Sequence, residues 1–413
     1  MAGNRYEQLD SLRGIASSQV FLMHLLSISS VFFAATYWGV PDAGTMYSTS
    51  KWAYILTYTP LAFFKAGNEA VVFFFILSGF VLSGTLFNRV NYLLFKQYLV
   101  KRFFRLWVPF IIVIVLSIIL RKLFYTPGIS SHPEISFWFK KMWEHPVSVI
   151  NFIKFLFLQG GTHNVDTTLW SLIIEIKISI LLPLFILLMD RLNNGYKNAV
   201  FLIVVILVSH FSFSLLSDNP KIIYDAKVLH YVSPFILGAY LNKYLKFWVN
   251  KINNYSNLSA CVLFFIMVIL YCIDGLKHFI EPVPALYYIV DNISYEVQMF
   301  ASLAFIILSF HSLFQRRLLH SVWLRLGQIS YSLYLIHPLL LLSVTYLLLQ
   351  KWQLFEIWVL LIPLTLGLSY VFYRYVETPI NDYGRELAKK LKGKKAELEN
   401  KKKTEEQVKI KAI

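Results

Sequence analysis

The stretch LDSLRGIASSQVFLMHLLSISSVFF, Leu9 to Phe33, decides the fold class. It is long and apolar enough to cross a bilayer, which takes about 20 helical residues. Yet it contains Asp10, Arg13 and His24. An ionisable side chain inside a span is costly unless paired or hydrated, so each of these marks a functional position.

The rest of the chain fits the same class. Of 413 residues 57% are hydrophobic and 15% charged; soluble domains carry about 25% charged residues. Apolar runs recur at 9–36, 69–88, 104–121, 168–189, 198–216, 227–245, 257–273, 297–314, 326–350 and 355–376. They predict an all-α fold, a polytopic transmembrane helical bundle of about ten spans. The alternating pattern of a membrane β-barrel is missing. A shorter apolar piece at 148–160 reads as interfacial or re-entrant. SFWFKKMWEHP, just before it, mixes aromatics with lysines and reads as lying at the membrane surface.

The net charge of +16 does not point to nucleic acid. The segment from Arg385 to Ile413 holds eleven Lys/Arg against five Glu. Other basic residues cluster in alternate short loops: Arg89 to Arg105, Arg191 and Lys197, Lys243 to Lys251, and Arg316 to Arg325. The intervening short loops carry only Lys221, Lys227, Lys277 and Lys351. This asymmetry predicts cytoplasmic termini. The chain divides into a membrane domain, 1–380, and a Lys/Glu-rich cytoplasmic tail, 381–413. The first span lacks a cleavage-site pattern and is expected to be retained. Cys261 and Cys272 lie about 16 Å apart on one helix, too far to pair. No metal cluster is expected, since the histidines are scattered.

Within the spans, polar residues repeat at helical spacing. Arg13 and His24 are eleven residues apart, hence about 20° apart in phase and about 16 Å apart along the axis. Asp10, one turn before Arg13, is placed to orient it. KRFFRLWVP (Lys101 to Pro109) puts Arg102 and Arg105 at i,i+3 on the same side of the membrane as Arg13. Three arginines there suit a polyphosphate, and positive-inside charge is the plainer alternative. TLWSLIIEIKISILLP (Thr168 to Pro183) sets Glu175 two turns inside its span, four residues after Ser171. Its expected partner is His24, an arginine or the substrate. ISYSLYLIHPLLLL (Ile329 to Leu342) aligns Ser330, Tyr334 and His337 on one face. His337, before Pro338, is expected to be a structural hydrogen-bonder, as are His210, His230 and His311. Gly79 and Ser83 form a small-xxx-small packing pair. Arg374 and Glu377 are expected to pair at the surface.

These segments, in this order, resemble the bacterial membrane acyltransferase-3 family: LDSLRGIASSQVFLMH, FFFILSGF, RFFRLWVP, LWSLIIEIKISILLP, YSLYLIHP and VETP. The resemblance spans residues 6–380. It implies a multi-pass enzyme of the bacterial inner membrane. It would move an acyl group, often acetyl, from cytoplasmic acyl-CoA to a hydroxyl of a cell-surface or lipid-linked polysaccharide. His24 would be the catalytic histidine, with Glu175 at the acidic position of the WSL motif. Arg13, Arg102 and Arg105 would be the functionally important arginines. Asp10, Ser171, Tyr334 and His337 would be supporting residues. The IKISIL run after WSL replaces a bulkier sequence found in many members, which leaves the acceptor open.

The mechanism expected from these residues has the arginines on the CoA phosphates and His24 as general base or transient acyl carrier, with Glu175 beside the imidazole. No bound cofactor is expected beyond acyl-CoA, acetyl-CoA in the simplest case, as co-substrate. The expected partners are membrane lipid, a glycan or lipid-linked sugar acceptor, and glycan-assembly proteins. The rival class is a transporter of a glycan or small molecule, since intramembrane His, Glu and Arg serve transport as well. The lack of an internal repeat weighs against it.

Overall fold

The computed structural model describes residues 6–37, 50–159, 165–216 and 223–391. Ten longer helices organise them: α1 Glu7–Ser27, α2 Gly67–Ser83, α3 Tyr92–Phe124, α4 Leu169–Leu192, α5 Gly195–Leu216, α6 Ile223–Lys243, α7 Asn257–Tyr271, α8 Pro284–Leu308, α9 Ser321–Leu348 and α10 Leu354–Leu391. Each of the ten expected apolar runs falls on one of them. Among the described residues there is no strand, only an isolated antiparallel bridge between Ser29 and Ile135.

The all-α class is therefore as expected, but ten spans are not all supported. By length and apolarity five helices qualify: α3, α4, α5, α9 and α10. Two sharply bent pairs raise the number to seven if each is one span. Leu245–Asn253 meets α7 at 118°, and α8 meets Ser312–Leu318 at 85°. α2 is apolar but has only 17 residues. α1 and α6 are diluted by polar groups that turn into the protein, including buried Gln19, His24 and His230.

Helix ends follow local chemistry. Glu7 and Asp10 lie in the first turn of α1, where acidic groups favour the helix dipole. Asn193 ends α4 in the left-handed region at φ 38°. Gln353 and Glu356 form a capping box on α10. Two glycine crossings hold the bundle centre. A Cβ on Gly79 of α2 would lie 1.9 Å from the Phe235 carbonyl of α6. A Cβ on Gly14 of α1 would lie 2.6 Å from the backbone of Gly327 on α9. Only a residue without a side chain lets these backbones approach so closely.

SFWFKKMWEHP packs partly inward, with Phe137, Lys141 and His145 left exposed. Its short helix, Phe137–Lys141, packs inward, with Phe139 and Trp143 fully buried. The segment is tied to the end of α1 by backbone bonds Ser30 N–H to Glu134 O and Ser136 N–H to Ile28 O, each 2.8 Å. The Ser136 hydroxyl also donates to Ser27 O at 2.6 Å. Phe139 and Trp143 join a core cluster with Ile28, Leu342 and Tyr346, and Trp138 packs against it. Cys261 and Cys272 are free thiols, as expected. Lys221 and residues from 392 onward, which entered the charge reading, lie outside the described residues.

Candidate functional site

Arg13 from α1, Ser78 from α2, Arg102 and Arg105 from α3, Ser171 and Glu175 from α4, and Tyr334 from α9 line one cavity. The three arginines thus converge although their helices are remote in sequence. A π-helical stretch, Phe103–Trp107, interrupts α3 at the arginines. Such widened turns occur often at functional sites. Arg105 is exposed at the mouth and Arg102 lies deeper. Asp10 does pair with Arg13, at 3.1 Å. The cavity measures about 70 Å³.

Glu175 is held inside this cavity, not at the imidazole. It accepts a hydrogen bond from Ser78 at 2.9 Å and pairs with Arg102 at 3.5 Å. Of the three partners expected for it, an arginine is the one found. Glu377 departs from expectation as well. A second π-helical stretch, Tyr373–Glu377, changes the local phase, leaving Arg374 exposed and Glu377 buried. Glu377 accepts from Ser332 at 2.6 Å and lies within the electrostatic reach of Arg105 and Arg13. Two carboxylates therefore balance part of the arginine charge.

The histidines form a pair. His24 Nδ1 lies 2.8 Å from His337 Nε2, and His337 Nδ1 lies 2.8 Å from the carbonyl of Leu333. A carbonyl only accepts, so His337 Nδ1 carries a proton. With His337 neutral, its Nε2 is an acceptor, and His24 Nδ1 must donate to it. The proton-free nitrogen of His24 is then Nε2, the atom a general base needs. His337 is more than a structural hydrogen-bonder on its own helix: it fixes the tautomer of His24. On the other side, the Trp138 indole stacks on the His24 ring with centroids 5.4 Å apart and planes 9° apart.

A hydroxyl network joins the two parts. Ser171 Oγ and the Tyr334 hydroxyl hydrogen-bond, and Ser171 also donates to Thr168 O at 2.9 Å. The Tyr334 ring approaches His337 at 6.3 Å between centroids. Pro338 has no N–H, so the Tyr334 carbonyl loses its helical donor; the Thr168 hydroxyl lies 3.3 Å from it. Asp166 anchors this corner: its Oδ1 accepts from Thr168 N and Oγ1 at 2.8 and 2.7 Å, while Oδ2 has no partner among the described residues. Complete burial pushes the Asp166 carboxyl up to about 7, against the opposing pull of the Thr168 hydrogen bonds.

Sequence reasoning missed Ser78, Trp138, Asp166 and the inward role of Glu377. Only Asp166, an acid directly before Thr167 and Thr168 at a helix start, gave a local signal, that of a cap.

A many-helix membrane protein with an arginine-lined internal cavity and a buried histidine pair is the class these features define. The model of the acyltransferase domain family matches residues 6–374, and the chain belongs to this acyltransferase-3 family. No curated protein and no solved structure matches it. It is accordingly a multi-pass membrane acyltransferase.

Proposed function

We propose that the protein transfers an acyl group, acetyl in the simplest case, from cytoplasmic acyl-CoA to a hydroxyl of a cell-surface or lipid-linked glycan, in a bacterial inner membrane with both termini cytoplasmic. The observation that carries this reading is the pairing of an anion-suited cavity with a tautomer-fixed base on the same helix, α1. Arg13, Arg102 and Arg105 hold phosphate oxygens of the donor by charge-assisted hydrogen bonds. The thioester extends past Ser171 and Tyr334 toward His24. His24 Nε2 takes the proton of the acceptor hydroxyl as its oxygen attacks the thioester carbonyl. The C–S bond breaks, the ester forms, and the CoA thiolate leaves with the proton from the imidazolium. His337 holds His24 in register, and Trp138 shields it from water. Glu175 keeps Arg102 extended into the cavity.

The test uses the protein in lipid nanodiscs with radiolabelled acetyl-CoA and extracted glycan lipids. Label appearing in glycan, with one CoA released per acetyl, supports the reading. In proteoliposomes, labelled substrate crossing intact with no CoA released refutes it in favour of transport.

A further inference from the structure

A second, larger cavity of about 480 Å³ lies toward the end of α1 and the start of α2. On α1, Arg13 lines the first cavity and Met23 the second, about 15 Å further along. On the antiparallel α2, residues from Val71 to Val81 line the first, and Asn68 and Glu69, at the start of the helix, line the second. The second cavity therefore continues past the end of the first, toward the start of α2 and the end of α1. The level of the second is that of His24, the residue after Met23.

Their chemistry differs. The first is dominated by arginine. The second mixes Lys65 and Lys277 with Glu69, Asp274 and Glu281, together with Asn68. Acids and bases nearly balance, so neither a polyanion nor a cation is favoured. A ligand dense in groups that both donate and accept is favoured, which is what sugar hydroxyls are. The polar groups are held in place. Asp274 accepts from Gln298 at 2.6 Å and pairs with Lys277 at 2.7 Å. Lys65 is 8% exposed and directs one of its three N–H groups to Thr36 at 2.8 Å. The Asp274 turn is pressed onto the wall: a Cβ on Gly275 would lie 2.0 Å from the Thr57 carbonyl. Thr57 itself lines the cavity at 7% exposure, and its hydroxyl has no hydrogen-bond partner among the described residues. A buried hydroxyl left unpaired costs about 1–3 kcal/mol, which a polar ligand relieves. The volume lies within the range of small-ligand sites, about 300–1,000 Å³.

We propose that this cavity binds a neutral sugar unit of the acceptor. Met23, not His24, faces it, so the unit bound here adjoins the reacting hydroxyl and does not present it. Binding energy from such a non-reacting part positions the hydroxyl at the base. The acceptor role rests on the acyltransferase reading above; sugar binding does not.

The experiment is saturation-transfer NMR on the full chain in nanodiscs, without acyl donor, using methyl β-glucoside and methyl β-glucuronide as probes. Saturable binding of the neutral glycoside is expected, with the glucuronide weaker. Glu69→Gln and Thr57→Val should each weaken glucoside binding at least tenfold. Asn68→Trp, at an exposed rim position, should block it without touching the core, and decides the matter should a buried variant misfold. No saturable glucoside binding by the wild type, equal binding by Asn68→Trp, or a preference for glucuronide overturns the proposal. Glucoside binding with no CoA release from acetyl-CoA in the same nanodiscs keeps the sugar site and sinks only the transferase reading.

Discussion

Replacing His337 by Ala removes the acceptor that holds His24 Nδ1–H at 2.8 Å, while leaving the arginine cavity intact. The donor is then left unpaired in a buried site, since His24 is 8% exposed. An unmet buried donor costs about 1–3 kcal/mol. If that penalty falls on the productive orientation, kcat drops about 5- to 150-fold, at 1.36 kcal/mol per tenfold. Freed from its partner, the imidazole also samples the other tautomer, so the upper half of that range is expected. The KM for acyl-CoA should stay near wild type, because the donor-binding residues are unchanged. His337→Gln restores an acceptor at a similar reach and should recover most of the rate. The assay is release of CoA thiol and transfer of labelled acetyl to glycan lipid, over a range of acyl-CoA concentrations. Wild-type kcat in His337→Ala refutes the reasoning. So does His337→Gln no faster than His337→Ala, since that assigns His337 to packing alone.

Trp138→Ala removes an aromatic stack worth about 0.5–1.5 kcal/mol and uncovers His24; acyl-CoA hydrolysis without acceptor should rise several-fold relative to transfer, read by CoA release with and without glycan lipid. Gly79→Val places methyl groups where a Cβ alone would lie 1.9 Å from the Phe235 carbonyl, so α2 and α6 must separate; a loss of at least about 1–3 kcal/mol is expected for such overpacking, seen as a lowered thermal midpoint in detergent. Asp166 has a folded pKa of about 7, above the unfolded value of about 3.9. Its contribution to stability is fully present below about pH 4 and is lost as pH rises through about 7. Asp166→Asn should flatten the fall in thermal midpoint between pH 5 and 8, and an unchanged pH dependence in that variant counts against the buried neutral acid.

Helices were legible in the sequence because apolar runs and 3.6-residue phase are local properties. The shared phase of Arg13 and His24, and the Asp10–Arg13 pair, followed from one helix. The convergence of Arg13, Arg102 and Arg105 was legible only as charge on one side of the membrane; their common cavity depends on how α1, α3 and α4 pack. The His24–His337 pair joins residues 313 apart, and no spacing rule reaches that far. Glu175 was expected beside the imidazole because both are intramembrane, but Ser78 and Arg102 hold it elsewhere. The π-turn before Glu377 defeated the i,i+3 argument, since that argument assumes α-helical phase. The packing of SFWFKKMWEHP against the protein was not legible, because an aromatic–lysine mixture reads as interfacial. Its inward direction is set by the bonds from Ser136 and Glu134 to the end of α1. Of the ten runs, five to seven meet the length and apolarity of a span, because α2 is short and α1 and α6 carry polar groups that turn into the protein.

The central claim is that His24 performs the chemistry while the arginine cavity holds the donor. The most direct measurement is acetyl-CoA affinity and single-turnover acetyl transfer for wild type and His24→Ala, side by side in nanodiscs. The account predicts unchanged donor affinity and a transfer rate lower by about 10²–10⁴ in His24→Ala, the usual contribution of a positioned general base. Transfer at the wild-type rate by His24→Ala contradicts it.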